Sequence, residues 1–356
     1  MVPTPDAASA LTDLGAMWAE MELAPAIVQP SDFWRTLNER NVRQLDDEGF
    51  GRFKRTVNHN YFSWIPRTLR DDQLRAMVKA WLRQPKLAVM TARLGDVTML
   101  EAGPERVNPF LEARSQRIHG LFLALLWEFV RRRDGRSLLT LLEEPELGDP
   151  VVATYRGRRI SQDLCNSVYD FYSATAALPD RAPGAGGVIE LGGGYGRVAW
   201  VFLKEFPQSR YILCDIPPAL AIAQQYLTTL FPDRRTFRFR HFDSHAEVAD
   251  ELAAAKIVFL TPNQLALLKP LGVSLFVNIS SLHEMRPDQI AHYIGQADRH
   301  TDGFFYTKQW EMWRNPDDDV AIGRADYPIP RTWRTIYERN HPIQRAFFHA
   351  LYSTRG

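Results

Sequence analysis

The stretch VIELGGGYG, residues 188–196, decides the fold of this chain. A short apolar run ends on glycines at positions 192, 194 and 196, and from Arg197 to Phe206 apolar residues recur at helical intervals. Glycine is needed where the backbone takes a positive φ or passes close to a ligand, because a Cβ would clash there. The pattern therefore predicts a strand, a tight turn and a helix, with a turn that can hold a nucleotide-like ligand against the helix N-terminus.

Two details distinguish this turn from a dinucleotide site: its glycine spacing and the carboxylate of Glu190. The glycine spacing is G-x-G-x-G rather than G-x-G-x-x-G. Glu190 stands two residues before the first glycine, where its charge would repel a pyrophosphate but not a cationic sulfonium. Asp215 ends a second apolar run, 211–214, and a carboxylate in that position can bind ribose hydroxyls.

Residues 188–215 thus resemble motif I and the following acidic strand end of class I S-adenosylmethionine (SAM) methyltransferases. The resemblance implies SAM as cofactor and S-adenosylhomocysteine (SAH) as its product. The residues that it assigns to cofactor binding are Glu190, Gly192, Gly194, Gly196, Asp215 and Ile216.

The length of the chain and the order of its patterns predict two domains. A chain of 356 residues is long for one domain. From Val188 onward strands and helices alternate, which favours a parallel sheet covered on both faces. We therefore expect an α/β fold with a Rossmann-like class I methyltransferase sheet in residues 151–356. Residues 1–150 are expected to form a helical N-terminal domain that covers the acceptor site or supports a homo-oligomer.

Composition argues against several classes of partner. The chain has 43 basic and 42 acidic residues, so there is no electrostatic case for nucleic acid or an anionic membrane. A small uncharged or zwitterionic acceptor is the expected substrate. Cys165 and Cys214 lie in apolar patterns and are expected to be buried free thiols. The N-terminus has no basic start and no apolar signal region, so a cytoplasmic location is expected.

Polar residues after the later strands are candidates for the rest of the cofactor site. The apolar run 257–260 closes at Asn263 and Gln264, which are plausible adenine neighbours, with Asp243 as a competitor. Tyr169, on a predicted helix just before the first core strand, either faces the cofactor or belongs to an ordinary polar helix surface. Both interpretations of Tyr169 remain open from the sequence.

The pair His283 and Glu284 is the candidate for proton removal. It follows the buried strand 274–279, at the edge where open α/β sheets bind ligands. A histidine with an ordinary pKa of about 6.5 is a suitable base near neutrality, and the neighbouring carboxylate can orient it or act as an alternative base. In the competing interpretation Glu284 only caps the helix that begins at Pro287.

Other segments extend the resemblance to a narrower family, the sugar O-methyltransferases of bacterial secondary-metabolite and glycan pathways. They are residues 53–58, 160–163, 215–218, 278–285 and 306–308. This family resemblance implies a glycosylated small-molecule acceptor, a cofactor contact by Asn278, and acceptor contacts by Arg55, Asn58, Gln162 and Lys308. One departure is His283, which stands where the family pattern has an amide.

Several alternatives remain at this stage. Asp317, Asp318 and Asp319 invite a metal site, but consecutive carboxylates after Asn315-Pro316 are typical of a solvated turn, so no metal is expected. The same scaffold could methylate nitrogen or a non-sugar hydroxyl, because fold does not determine the acceptor. A SAM-binding protein without catalysis is the alternative from another class.

Overall fold

The computed structural model describes residues 7–57, 66, 68–83, 98–100, 109–314 and 320–355. Its helices, in chain order, are α1 Ala7–Glu22, α2 Asp32–Glu48, α3 Asp72–Leu82, α4 Pro109–Arg131, α5 Leu138–Leu141, α6 Gln162–Ala174, α7 Arg197–Glu205, α8 Ala219–Leu230, α9 His245–Ala254, α10 Pro262–Leu267 and α11 Pro287–His300. Its strands are β1 Thr98–Leu100, β2 Val152–Tyr155, β3 Arg158–Ser161, β4 Val188–Leu191, β5 Tyr211–Cys214, β6 Thr236–Phe237, β7 Ile257–Leu260, β8 Val273–Ile279, β9 Thr301–Trp310, β10 Met312–Arg314, β11 Ala321–Gly323, β12 Arg334–Asn340 and β13 Phe347–Ser353.

The chain forms two compact units. The first unit comprises Met1–Gly51, Phe171–Asn340 and Ala346–Gly356, and the second comprises Arg52–Asp170 and His341–Arg345. The units do not follow the predicted boundary after residue 150, because the first 51 residues group with the α/β part of the chain. Part of the physical reason is visible at Gln289, whose amide donates to the backbone carbonyls of Ile27 and Gln29.

The first unit is built on an eight-stranded sheet in the order β12-β13-β9-β8-β4-β5-β7-β6. The strands from β9 to β6 pair in parallel, whereas β13 pairs antiparallel with β9 and β12. The expected α/β, Rossmann-like sheet is therefore present. Strand β4 lies at its centre, with Leu191 in register with Cys214 on one side and Asn278 on the other.

The sequence explains why β4, β5 and β7 occupy the middle of this sheet. Every residue of these three strands is buried, as expected for parallel strands covered on both faces. Helix α7 buries seven of its nine residues, including Arg197. Because the chain turns away in opposite directions from β4, the carboxyl ends of β4, β5 and β8 border the crevice where open sheets of this kind bind ligands.

The second unit combines helices with a small antiparallel sheet in the order β1-β2-β3. A buried ion pair stabilises it: the Lys54 ammonium lies 2.5 Å from the Glu144 carboxylate, with side chains 1% and 3% exposed. The other oxygen of Glu144 accepts a hydrogen bond from Ser161 Oγ at 2.6 Å. Removing one partner would leave an uncompensated buried charge.

The expectation of two buried free thiols is confirmed. Cys165 and Cys214 are free and buried, and burial raises the pKa of both thiols. Among the described residues, no helix combines the length and apolar character that crossing a bilayer requires.

Candidate functional site

The glycine turn after β4 has the backbone conformation that its sequence predicts. Gly192, Gly194 and Gly196 have φ values of +72°, +56° and +87°. A Cβ on Gly192 would come within 2.3 Å of Ser281 Oγ, so a side chain at this position would clash. A Cβ on Gly194 would meet no atom within 4 Å, so the turn borders open space at that point. Gly196 then begins α7 as its N-cap residue.

Glu190 lies beneath this turn. Its side chain is buried, and Oε2 accepts a hydrogen bond from the Tyr211 hydroxyl at 2.7 Å. Burial, and secondly the charge of Glu190, raise the pKa of Tyr211 well above its usual range, so this phenol remains a donor. A Cβ on Gly193 would lie 3.1 Å from Glu190 Oε2, which places the carboxylate directly against the turn.

Asp215 joins the turn to the end of the neighbouring strand β5. One carboxylate oxygen accepts from the Gly194 N–H and the other from the Ile216 N–H, each at 2.7 Å. The pKa of Asp215 is raised to about 7, mainly by burial and to a smaller extent by the charge of Glu284, while the two N–H donors oppose the shift. The structure thus brings together Gly194, Asp215 and Ile216, with Ile216 contributing its backbone N–H.

The two predicted adenine neighbours differ in what their side chains already bind. The Gln264 Oε1 accepts from the Thr261 N–H at 3.2 Å, and Nε2 donates to the Arg240 carbonyl at 2.8 Å. Gln264 therefore caps α10 with its oxygen and binds the segment at Arg240 with its nitrogen. The Asn263 amide donates to Glu20 at 2.5 Å, and its Oδ1 is buried without a hydrogen-bond partner among the described residues. Asp243, the competitor, lies 3.3 Å from His241 Nε2.

Asn278 and Gln309 form a buried amide network behind the turn. Asn278 Nδ2 donates to the Leu191 carbonyl at 2.9 Å, and its Oδ1 accepts from Gln309 Nε2 at 2.6 Å and from the Leu282 N–H at 3.2 Å. Both ends of the Asn278 side chain are therefore bonded within the protein, and Nδ2 binds the last residue of β4. Sequence reasoning missed Gln309, because nothing distinguishes one polar residue in β9 from an ordinary strand position.

Gln309 also determines which nitrogen of His283 carries a proton. Because its Nε2 donates to Asn278, its Oε1 faces His283 and can only accept, so Nδ1 of the imidazole, 2.9 Å away, carries the hydrogen. The other nitrogen, Nε2, then presents its lone pair in the neutral ring and lies 3.5 Å from Glu284 Oε1. The two predicted residues therefore form a pair that can hold one proton between them.

The surroundings of the pair differ for the two side chains. The His283 side chain is fully buried, with Trp310, Trp313 and Phe347 around its ring at centroid distances of 6.3, 5.3 and 6.2 Å. Glu284 is 15% exposed, and its Oε2 has no hydrogen-bond partner among the described residues. The Tyr327 hydroxyl also has none in the described part of the chain, and the charge of Glu284 contributes to raising the pKa of that phenol, after burial. Glu284 is therefore the more exposed member of the pair, and one of its carboxylate oxygens is buried without a hydrogen-bond partner among the described residues.

The residues predicted for acceptor binding lie in different units. In the second unit, Arg55 pairs with Asp149 at 2.7 Å and Gln162 donates to Gln73 at 3.4 Å. Tyr169, also in the second unit, packs on Phe129 and His341 at ring distances of 6.1 and 5.2 Å. Lys308 belongs to the first unit, where it is fully buried in β9 opposite His349. Asn58 lies outside the described residues.

Metal binding receives no support from the described residues. Within them, no group of three or more His, Cys, Asp or Glu side chains could hold a metal ion. Asp317, Asp318 and Asp319 lie outside the described residues, so the predicted solvated turn stays a prediction.

The two solved structures described here align with the chain at low TM-score and low sequence identity. No protein-family model and no curated protein matches the chain. The magnesium protoporphyrin IX methyltransferase of Synechocystis, solved with bound SAH, aligns with a TM-score of 0.38 and 10% identity over 65% of this chain and 100% of that one. A SAM-dependent methyltransferase of Leishmania major aligns with a TM-score of 0.35 and 14% identity over 52% and 72% of the two chains.

Proposed function

We propose that this chain is a SAM-dependent O-methyltransferase that acts on a hydroxyl of a sugar or glycosylated natural product. The observation that carries the proposal is the meeting of two features at the carboxyl ends of adjacent strands. The glycine turn follows β4 and is hydrogen-bonded to Asp215, which follows β5. The His283–Glu284 pair follows β8. A nucleoside-binding turn beside a proton acceptor is the arrangement that methyl transfer to a hydroxyl requires.

The residues around the turn fit the cofactor. Open space beside Gly194 can receive a ligand, and the half-buried Asp215 carboxylate can accept from ribose hydroxyls. The unpartnered Asn263 Oδ1 offers an acceptor for the base. Glu190, Gly192 and Gly196 would hold the turn itself, whereas Gln264 and Asn278 would support it through the hydrogen bonds that they already make. When bound, SAM supplies a methyl group made electrophilic by its sulfonium.

The pair supplies the other half of the chemistry. Glu284 Oε2 is free to accept a hydrogen bond from the acceptor hydroxyl and so to orient its oxygen. As the hydroxyl proton leaves, the neutral imidazole and the carboxylate can share it, since Nε2 of His283 faces Oε1 of Glu284. Proton acceptance of this kind increases the rate of reaction by about 10²- to 10⁴-fold. Orientation contributes more, up to roughly 7 to 11 kcal/mol in well-aligned reactions.

An aromatic group beside the pair favours a sugar as the acceptor. Phe33 packs edge-on against Trp34 at 5.7 Å and against Trp313 at 6.0 Å, and all three side chains are half-buried. Aromatic faces present a large apolar surface at low entropic cost, which suits the C–H face of a sugar ring. Trp313 Nε1 is buried without a partner among the described residues and could donate to a sugar hydroxyl. These contacts extend the support that the family resemblance gives.

Methyl transfer to a panel of glycosides and amines tests the proposal. The purified chain is incubated with SAM carrying a deuterated methyl group, and products are located by mass shift and fragmentation. We expect methylation at a glycoside oxygen. Transfer to an amine instead would overturn the O-methyl assignment, and SAH binding without transfer to any acceptor would favour a non-catalytic SAM-binding protein.

Two substitutions test the role of the pair. We expect Glu284→Gln and His283→Asn each to lower kcat by about 10²-fold or more, because either change removes the site of the shared proton. Glu311→Gln is the matched control, since Glu311 pairs with Arg324 at 3.3 Å and has no assigned part in the site. Near-normal turnover in both pair variants would eliminate them as the proton acceptor.

A further inference from the structure

Glu20, in the last turn of α1, contacts Asn263, one of the predicted adenine neighbours. Glu20 is buried, although it lies more than 160 residues before the glycine turn in the sequence. One carboxylate oxygen accepts from Asn263 Nδ2 at 2.5 Å, and the other lies 2.6 Å from His241 Nδ1. A carboxylate accepts only, so His241 must carry its proton on Nδ1.

Further contacts fix α1 within the first unit. Asp13 Oδ2 accepts from Gln224 Nε2 at 2.7 Å and from Arg238 at 2.6 Å. Leu14, Met17 and Met21 are buried on the same helix. The position of Glu20 therefore follows from a packed helix anchored by both apolar and polar contacts.

Glu20 determines the orientation of the Asn263 amide. The two ends of an asparagine amide differ in chemistry, because the nitrogen donates two hydrogen bonds and the oxygen accepts. A carboxylate on one side obliges the amide to turn its nitrogen towards it. The carbonyl oxygen Oδ1 then faces away from Glu20, where it is buried without a donor in the described part of the chain. A buried acceptor in this state favours any ligand that brings a donor.

The location of Asn263 indicates which hydrogen-bond donor of a bound ligand would reach its Oδ1. The Asp215 N–H donates to the Leu260 carbonyl at 3.2 Å, so the ends of β5 and β7 adjoin, and Asn263 follows three residues later. If ribose hydroxyls bind Asp215, the base extends along the sheet edge towards β7, one strand spacing of about 4.8 Å away. Adenine carries an exocyclic amino group, which is a donor, whereas hypoxanthine carries a carbonyl in the same place.

We infer that Glu20 is a positioning residue for the base of the cofactor: it holds Asn263 so that Oδ1 accepts from the adenine amino group. Helix α1 thereby becomes part of the nucleoside pocket, and the chain selects adenosyl ligands over their deaminated counterparts. This inference rests on the proposed function, because it requires that the chain bind SAM or SAH.

Calorimetric binding of two ligands tests the inference without any turnover. The probes are SAH and S-inosyl-L-homocysteine, in which a carbonyl replaces the amino group. The unaltered protein should bind SAH roughly tenfold to hundredfold more tightly, since a mismatched carbonyl would face Oδ1. Asn263→Ala should reduce this preference to about threefold or less, because the acceptor is gone.

Three variants of α1 isolate the part of Glu20. Glu20→Met keeps the buried volume but no longer holds the amide, so the preference for SAH should fall as in Asn263→Ala. Glu20→Gln should retain most of the preference, because its carbonyl still accepts from Asn263 Nδ2. Glu22→Gln, an exposed change on the same turn, is the matched control and should behave as the unaltered protein.

The outcomes distinguish a failure of the inference from a failure of the proposed function. No binding of SAH by the unaltered protein would overturn the proposed function. Tight SAH binding with equal affinity for the inosyl ligand would overturn only the inference. A full preference in Glu20→Met, together with its loss in Asn263→Ala, would remove Glu20 from the recognition of the base. If Glu20→Met unfolds, the other two variants still test the inference: loss of the preference for SAH in Glu20→Gln, or its retention in Asn263→Ala, would overturn it.

Discussion

Binding of SAH should release a proton from Asp215, and the pH dependence of its affinity follows from the structure. The pKa of this carboxyl is raised to about 7 by burial and by the charge of Glu284. Ribose hydroxyls donate to a carboxylate and so bind its ionised form. The protonated form is a poor partner, and affinity should therefore rise as the pH rises through this pKa.

The size of the effect can be worked out from that pKa. A carboxyl of pKa about 7 is roughly nine-tenths protonated near pH 6 and about one-tenth protonated near pH 8. If binding restores ionisation, the affinity for SAH should increase about tenfold over this range, with about 0.9 proton released per ligand at the lower pH. Tyr293 and Cys214 interact with Asp215, but burial raises the pKa of each well above its usual value, so both stay neutral throughout.

Calorimetry in two buffers of different ionisation enthalpy measures both quantities. Asp215→Asn is the control: it keeps one acceptor for the turn but cannot titrate, so its weaker affinity should not change over this pH range. In the absence of ligand, a raised carboxyl pKa means that stability falls as the pH rises from about 4 to about 7, and Asp215→Asn should flatten that slope. An affinity for SAH that is independent of pH, with no proton release, would refute the reasoning.

Three further predictions test the turn and the second unit. Gly192→Ala should lower the free energy of unfolding by about 1–3 kcal/mol, measured by urea denaturation, because φ is positive and the new Cβ would meet Ser281. Gly194→Ala adds a Cβ in open space, so we expect a smaller loss of stability but weaker SAH binding in calorimetry; tight binding would argue against the ligand lying beside this glycine. Lys54→Met should destabilise the chain by about 3–5 kcal/mol, because it leaves the Glu144 carboxylate buried without its cation. The double variant Lys54→Met with Glu144→Leu should recover most of this loss. A Lys54→Met protein as stable as the unaltered protein would contradict the prediction.

The glycine turn and its two carboxylates could be located from the sequence because their chemistry is local. A strand, a turn with positive φ and a helix follow directly from residues 188–206, and the alternation after Val188 specifies a parallel sheet. The adjacency of Asp215 to Gly194 follows from the same reasoning, because parallel strands align their carboxyl ends. The pairing of His283 with Glu284 at one sheet edge also needed no more than their position after β8.

The contacts that the sequence could not reveal join residues far apart in the chain. Glu20 and Asn263 are 243 positions apart, and no periodicity connects them. The role of Gln309 depends on a register between β8 and β9 that only the folded sheet defines. The grouping of the first 51 residues with the α/β part of the chain also depends on packing that does not follow chain order.

The two units interleave along the polypeptide, since the backbone passes from one to the other after residues 51, 170, 340 and 345. No single cut can therefore release either of them intact. A fragment that starts at residue 151, the obvious choice for expressing a catalytic core, would lack α1 and Glu20. It would keep His341–Arg345 and residues 151–170 of the second unit but lose residues 52–150 of that unit. Engineering of this protein is best begun from the entire polypeptide.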